Sequence, residues 1–516
     1  MKNNQPVLAI YDLRGIQKFI FHTNAVKEII GGSAIVSTLL EDALRAFIET
    51  RGYKKSLLEW YGDDKPKVFR FYNDKTDTLC YEVLYCGGGN LLVVWKTEEL
   101  ARDAGRFMSK YVLEKAYSLS LSYATVKMSD SYQKDYAQLC HNLDAIKSMG
   151  YRAIPVSGCP FSVAEQGTGL PAVMRSGDER ISTETYLKRE AAKPVYEEHS
   201  SKRYCLKIDD ITTGMDKNYV AVVHIDGNSM GMRIRDRLAS CKDYPSAVYE
   251  MRKLSRRISD TFKKALDETV DNQNKKKNEK LVLRPIICAG DDITFICRAD
   301  IAIDMVRDFI CKIESCFMCD TVDGKTDLKH YAFSACAGIA YVRAHFPFYT
   351  AYELCEQLCA QAKKKAKAET PENGAVGSFL DFHIVSGSVL DDIEGIRETE
   401  YINAQGYSLL QRPLNCAKDS ESKDSVNTLL KNMEKFDALP RRWVKQARNA
   451  YCTGEGEILG VFKQADVYEG RSLATDGKAF DKDNKALYFD ALELMDMIPG
   501  ISEKKGGKRD ESKIDH

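Results

Sequence analysis

The same order of predicted elements occurs twice along the 516-residue chain, and this repetition constrains its fold more than any other feature. In the first copy a buried strand ends in Asp12, a helix follows, and two β-rich runs flank a tight turn that holds Asn90. In the second copy the strand ends in Asp226 and the turn holds Asp292. The two residues are 78 positions apart in the first copy (12 to 90) and 66 in the second (226 to 292). Equal order with similar spacing predicts an internal duplication of two related α/β domains.

Each copy also carries the second helix and the fourth strand that complete a βαββαβ unit. They are predicted at about 97–117 and 119–127 in the first copy, and at about 301–317 and 332–342 in the second. The chain then divides into five predicted segments: a first domain at 1–145 with a degenerate site, a linker of loops and short elements at 146–215, a second domain at 216–390, a mostly helical region at 391–500 and a disordered tail at 501–516.

The composition excludes some classes of protein. Hydrophobic residues make up 44% and charged residues 29% of the chain, with 75 basic and 75 acidic side chains, which is ordinary globular composition without net charge. Zero net charge and only three tryptophans count against a general single-strand nucleic-acid binder, although a local basic groove remains open. No signal peptide is visible and no apolar run approaches the roughly 20 residues that span a bilayer, so we expect a cytoplasmic protein without a membrane partner.

The sixteen cysteines leave reduced thiols and a zinc site as alternatives. Most of them lie in apolar strand-like or helix-like segments, and with no export signal this favours buried, reduced thiols. The single C-x-x-C, Cys316–Cys319, has Cys355 and Cys359 nearby. A zinc site is the weaker alternative, because it usually needs two such spacings or additional histidines.

Three carboxylates that are distant in sequence are predicted to meet at one edge of the second sheet. Asp226 ends a buried strand, and Asp291 and Asp292 follow Gly290 at a turn between two apolar β-runs. In a βαββ unit these positions lie side by side. Mg²⁺ and Mn²⁺ bind carboxylate oxygens, and two-metal nucleotidyl transfer needs ions roughly 4 Å apart. We therefore predict that Asp226, Asp291 and Asp292 are the catalytic residues and the ligands of a two-metal site; a hairpin turn without metal is the alternative.

Seven segments carry a further signal: Tyr11–Ile20 (YDLRGIQKFI), Glu28–Ser33 (EIIGGS), Ile225–Gly231 (IDGNSMG), Ala289–Asp292 (AGDD), Phe333–Ala340, His345–Pro347 and Leu380–His383. As a set they resemble the CRISPR polymerases, the large subunits of type III CRISPR effector complexes and their stand-alone relatives. The resemblance covers roughly residues 7–390. It implies two ferredoxin-like βαββαβ palm domains in tandem, related to polymerases and nucleotide cyclases, followed by the mostly helical C-terminal region.

The resemblance implies an antiviral enzyme that converts ATP, or another NTP, to a cyclic oligonucleotide second messenger. Gly227, Asn228 and Gly290 would then lie near the phosphates, and RNA, other CRISPR-type subunits or a second copy of the chain remain open as partners. Ala289 replaces the first glycine of the family's hairpin, and Asn228 stands where relatives often carry an acid. There is also no His-Asp dipeptide and no four-cysteine module between the palms. A catalytically inactive nucleotide-binding or ribonucleoprotein scaffold is therefore the alternative function.

Two further features could contact a nucleotide. Lys363 and Lys367 lie near the end of the helix after the second palm, where they could bind phosphates or simply form a solvated helix end. Gly88 and Gly89, in the first turn, could form a second nucleotide site without catalysis or a purely structural hairpin. For Asp12, capping of the next helix is favoured over a ligand contact.

Overall fold

The structure, a computed structural model, describes residues 5–54, 58–62, 65–71, 79–149, 161–201, 204–212, 218–276, 283–318, 332–370, 375–387, 392–470, 477–495 and 497–498. The predicted tail at 501–516 and Cys319 of the C-x-x-C lie outside these residues. Within the described ranges, no helix is both long enough and apolar enough to cross a membrane.

The first palm is an antiparallel four-stranded sheet with strand order β2-β3-β1-β4. Its elements are β1 (Val7–Arg14), α1 (Ile16–Ile20), α2 (Val26–Arg51), β2 (Tyr81–Gly87), β3 (Asn90–Trp95), α3 (Glu98–Lys115), β4 (Ser120–Lys127) and α4 (Tyr132–Ser148). This is the predicted βαββαβ unit with two added helices, α1 and α4, and α4 runs across the predicted domain boundary at 145.

The region between the palms contains more regular structure than the loops and short elements that its sequence predicts. It holds β5 (Met174–Ser176), β6 (Glu179–Ile181), α5 (Thr183–Ser201) and α6 (Ile208–Thr212). Helix α5 crosses α2 at very short distance, since a Cβ on Gly31 would lie 1.7 Å from the carbonyl oxygen of Lys188. The glycine pair Gly31-Gly32 is thereby explained as a helix-crossing point.

The second palm repeats the first and extends it. Its elements are β7 (Tyr219–Gly227), α7 (Met230–Ala239), α8 (Tyr244–Lys276), β8 (Leu283–Ala289), β9 (Asp292–Arg298), α9 (Ala302–Glu314), β10 (Ala335–Arg343), α10 (Phe348–Ala368), β11 (Phe379–Ile384) and β12 (Leu414–Asn415). The sheet has the order β12-β11-β10-β7-β9-β8, in which the last four strands repeat β4-β1-β3-β2. Strand β11 is parallel to β10, and β12 is antiparallel to β11.

One irregularity shows how closely the two copies correspond. The β2–β3 ladder shifts register between Val83 and Tyr85, and the β8–β9 ladder shifts between Pro285 and Ile287. Each shift begins four residues before the last residue of its strand. The strands then end in equivalent pairs, Gly87 with Asn90 and Ala289 with Asp292.

The C-terminal region is helical as predicted and packs against the second palm on the face that carries Val223 and Phe382. Its helices are α11 (Ile393–Glu400), α12 (Val426–Asp437), α13 (Arg441–Thr453), α14 (Glu455–Glu469) and α15 (Phe489–Leu494). The fully buried Arg412 anchors this packing through ion pairs with Asp490 at 3.4 Å and Glu493 at 2.7 Å.

Candidate functional site

Asp226 lies at the end of β7, where the central strand of the second palm reaches the sheet edge. Its side chain is 36% exposed, and one carboxylate oxygen (Oδ2) accepts a hydrogen bond from the ammonium of Lys363. The same ammonium donates to the carbonyl oxygen of Gly227 at 3.3 Å. The strand-end carboxylate is thus exposed to solvent and held by one lysine of α10.

The hairpin between β8 and β9 brings its two carboxylates to the same place. Pairing of Ile225 with Ile293 puts the end of β7 beside the start of β9. Gly290 supplies the left-handed backbone of the turn, with φ +65°. Asp291 folds back onto β7, since a Cβ on Gly227 would lie only 2.7 Å from its carboxylate oxygen Oδ2.

The crowding of carboxylates strongly perturbs their protonation. Burial raises the pKa of Asp291 to about 6 and that of Asp292 to about 8, and repulsion from Asp226 adds to both shifts. The buried Oδ1 of Asp292 has no hydrogen-bond partner. His224 lies 3.4 Å from it, but burial lowers the pKa of His224 to about 4, so at neutral pH its ring is uncharged and does not favour the ionised form of Asp292. The negative charge of this cluster is incompletely compensated.

These residues fit a hard divalent cation by the chemistry of their donors. Carboxylate oxygens are the ligands that Mg²⁺ and Mn²⁺ take, and an orphaned carboxylate oxygen is available on Asp292. Among the described residues, however, no three His, Cys, Asp or Glu side chains form a ready-made ligand set. The ammonium of Lys363 instead binds the Asp226 carboxylate and the adjacent Gly227 carbonyl.

Helix α10 contributes an acid that the sequence reasoning missed. Glu356 adds its repulsion to Asp292, and its own pKa is raised mainly by burial. Its carboxylate accepts hydrogen bonds from the Tyr352 hydroxyl at 2.8 Å and from Gln17 of the first palm at 2.6 Å. The available signal was the spacing of seven residues between Glu356 and Lys363, which puts both on one helix face.

Two aromatic rings join the palms at this point. Phe21, which follows α1, stacks on Tyr352 with ring centroids 4.0 Å apart, and the Tyr352 ring meets His224 edge-on at 5.6 Å. The segment Tyr11–Ile20 with Phe21 therefore places first-palm side chains against the helix that carries Glu356 and Lys363.

Asn228, a predicted nucleotide contact, is used by the fold. It is 3% exposed, and its side-chain amide donates to the Ser334 hydroxyl at 3.3 Å and to the Gly377 carbonyl at 3.0 Å. Its backbone N–H donates to the Ser334 carbonyl at 2.9 Å. The next residue, Ser229, has the left-handed φ of +55° before α7 begins. Asn228 therefore holds the strand-to-helix turn, whereas Gly290 is exposed with open space around it.

The lysines near the end of α10 have different surroundings. Lys363 reaches the acidic cluster and Lys367 is exposed. Lys364 is exposed and lies 3.6 Å from Glu394. Lys365 instead binds Asp424 at 2.5 Å, which ties the helix to the C-terminal region.

The equivalent site of the first palm is arranged differently. Gly88 and Gly89 form the turn with φ +59° and +77°, and the Gly89 carbonyl accepts from Leu13 N–H at 2.9 Å. Asp12 lies inside β1 and forms an ion pair with Lys147 at 2.8 Å. The prediction that Asp12 caps the next helix was wrong, because the strand continues to Arg14 and the cap position of α1 is Gly15.

Residues 219–370 match the family model of Cas10/Cmr2, second palm domain. This segment is therefore similar to the second palm domain of the Cas10/Cmr2 proteins. It contains Asp226, Asp291, Asp292 and Lys363, and the expected resemblance to the CRISPR polymerases is confirmed. A search of curated proteins found no match.

Solved structures are similar in fold to this chain over most of its length. The Csm1-Csm4 cassette in complex with AMPPNP is similar over 96% of this chain and 70% of that chain, with 14% identity and a TM-score of 0.50. The cassette in complex with cA3 is similar over 97% and 70%, with 13% identity and a TM-score of 0.50. The cassette in complex with one ATP has 13% identity and a TM-score of 0.45; the match covers 70% of this chain but only 54% of that chain.

Proposed function

We propose that this chain is a divalent-metal-dependent nucleotidyltransferase of the cyclase type, which converts ATP to a cyclic oligonucleotide in CRISPR-type antiviral defence. The observation that carries the proposal is the meeting of Asp226, Asp291 and Asp292 at one sheet edge of a Cas10/Cmr2 second palm. The complexes of the similar cassette with AMPPNP and with cA3 support ATP as substrate and a cyclic oligoadenylate as product.

Each residue has a distinct part in the proposed reaction. Asp226, Asp291 and Asp292 would hold Mg²⁺ or Mn²⁺, which when bound activates the attacking hydroxyl and neutralises phosphate charge. Gly227 leaves room for the Asp291 carboxylate, and Gly290 leaves an open approach at the turn. The ammonium of Lys363 lies close enough to the acids to reach phosphates bound there, and Lys367 would extend the positive charge along α10. Catalysis would then consist mainly of positioning and charge neutralisation.

The first palm would supply a second, non-catalytic nucleotide position. Gly88 and Gly89 lie at the turn equivalent to the catalytic hairpin, and the contacts of Phe21 and Gln17 with α10 hold the two palms together. A donor and an acceptor ATP could then lie between the palms. As partners we propose RNA and a subunit of the Csm4 type, because the similar cassettes contain Csm4.

The test is product formation from labelled ATP with Mg²⁺ or Mn²⁺, with and without added RNA. The wild-type chain should form product, whereas Asp291→Ala/Asp292→Ala should lose it. Asp209→Asn/Asp210→Asn is the matched control, because this acidic pair is exposed on α6, without a preceding glycine or flanking strands. Equal product from the parent and the 291/292 variant would remove the site assignment.

A catalytically inactive nucleotide-binding or ribonucleoprotein scaffold is the second candidate function. The observations that favour it are Ala289 at the hairpin, the engagement of Asn228 by the fold and the missing ready-made ligand set among the described residues. A wild-type chain that binds AMPPNP in calorimetry, yet forms no product with either metal or with RNA, would establish this alternative.

A further inference from the structure

Lys363 binds the oxygens that a divalent cation would need. Its ammonium is hydrogen-bonded to the Asp226 carboxylate and to the Gly227 carbonyl. Only 27% of its side chain is exposed, compared with 77% for Lys364, the next residue of α10. Of these two neighbouring lysines it is Lys363 that enters the acidic cluster, and its charge has the same sign as the expected metal.

We propose that Lys363 is an internal counter-ion, which holds Asp226 while no metal is bound and leaves it when a divalent cation enters. The inference rests on the proposed metal site and specifies how that site is filled. An ammonium and a metal cannot share the same carboxylate lone pairs, so binding of one displaces the other. The four-carbon stem of lysine allows the ammonium to move while α10 stays in place.

The first palm contains the same device in a form without a metal site. Helix α4 follows β4 as α10 follows β10, and its Lys147 forms an ion pair with Asp12 of β1 at 2.8 Å. The equivalent positions thus carry the same aspartate–lysine pair in both copies. In the second copy, two hairpin carboxylates also lie beside the pair. Their additional negative charge favours the binding of a further cation.

The counter-ion makes opposite predictions for metal and nucleotide. Lys363→Met removes the competing ammonium and keeps the side-chain length, so Mn²⁺ alone should bind tighter, by on the order of three- to tenfold in calorimetry. AMPPNP should bind the same variant more weakly, because a cation near the phosphates is lost. Lys364→Met removes an equal charge one residue away and should change neither affinity by more than about twofold. Thermal unfolding of each variant checks that it folds.

A direct readout on the wild-type chain completes the test. In ¹⁵N-lysine NMR, one ammonium signal, assigned by its loss in Lys363→Met, should shift when saturating Mg²⁺ is added without nucleotide. Unchanged Mn²⁺ affinity in Lys363→Met, an equal gain in Lys364→Met, or an unshifted signal at saturating Mg²⁺ would each overturn the inference. If the signal shifts but the wild-type chain forms no product, the counter-ion stands and the proposed function fails. If product forms while the signal stays unshifted, the proposed function stands and the counter-ion proposal fails.

Discussion

Gly227→Ala is expected to separate the catalytic geometry of the second palm from its stability. The added Cβ would lie 2.7 Å from Oδ2 of Asp291 and 2.8 Å from the terminal methyl of Met230. Ordinary contact begins at 3.4 Å, so the carboxylate must move by about 0.7 Å (from 2.7 to 3.4 Å). A third contact is 2.9 Å from Cγ of Met230, nearer the backbone, so the whole Met230 side chain must shift as well. We expect a cost at the lower end of the range for overpacking, about 1 kcal/mol.

The activity should respond far more than the stability. A catalytic constellation tolerates displacements of roughly 0.5 Å, and a misplacement of about 1 Å can cost on the order of 100-fold in rate. We expect Gly227→Ala to lose between tenfold and 100-fold in product formation from labelled ATP. Its affinity for Mn²⁺ should fall as well, while the urea midpoint shifts only slightly.

Gly231→Ala is the matched control for this prediction. Gly231 is exposed in the first turn of α7, and a Cβ there meets nothing within 4 Å. The substitution should keep wild-type activity and stabilise the helix by up to about 1 kcal/mol. Wild-type turnover together with wild-type Mn²⁺ affinity in Gly227→Ala would refute the placement of Asp291 against β7.

Three further predictions concern the packing that positions the site. Phe21→Ala removes a stacked ring between the palms and should lower the free energy of unfolding by about 3–5 kcal/mol in urea, whereas Phe21→Leu should lose less than half of that. Gly338→Ala puts a Cβ 2.0 Å from the carbonyl oxygen of Cys355, so α10 must move. We expect the free energy of unfolding to fall by about 3 kcal/mol or more and product formation to be lost; wild-type stability would contradict this packing. Burial and the charge of Arg412 lower the pKa of His383 to about 4, so its neutral form stabilises the fold above its ordinary pKa of 6.5. Stability should fall as pH drops from about 6.5 to 4, by on the order of 3 kcal/mol, and His383→Asn should flatten this dependence in thermal melts.

The palms could be predicted from sequence because their strands are short, apolar and bounded by clear turns. The helix predicted from Lys27 to about Thr50 is observed as Val26–Arg51, and the hairpins were placed correctly. Helix α5 was missed because Pro194 lies inside it, and proline argues against a helix interior. Helix α5 is stabilised instead by its packing against α2 at Gly31, a tertiary contact that local sequence patterns do not predict.

From the sequence, only those residues of the candidate site could be predicted that lie at strand ends or hairpin turns. The proximity of Asp226 to the hairpin acids could be predicted because a βαββ unit puts these positions at one edge of the sheet. Glu356 was missed because its role depends on which face of α10 meets the sheet, and that is fixed by the close approach at Gly338. For Asn228 the sequence could not distinguish a ligand contact from the hydrogen bonds with which it holds its own turn.

The charges around the two duplicated sites differ, and this difference supports our proposal of a metal site in the second palm. Near Asp12, the acid Asp144 is matched by Arg14 and Lys147, so the first site has no excess charge. Near Asp292, the acids Asp226, Asp291 and Glu356 raise its pKa, and the charge of Lys363 lowers it.

The backbone of the first turn also prevents a simple conversion of one site into the other. Gly89 stands where the second palm has Asp291, but its φ is +77°, and a Cβ there would lie 2.5 Å from the Ile16 side chain. An aspartate at this position would have a strained backbone and would push aside the Ile16 side chain of α1, the helix whose Gln17 contacts the second palm. The first turn therefore differs from the second in backbone conformation and packing as well as in its missing carboxylates, and the first palm contacts helix α10 of the second through Gln17 and Phe21.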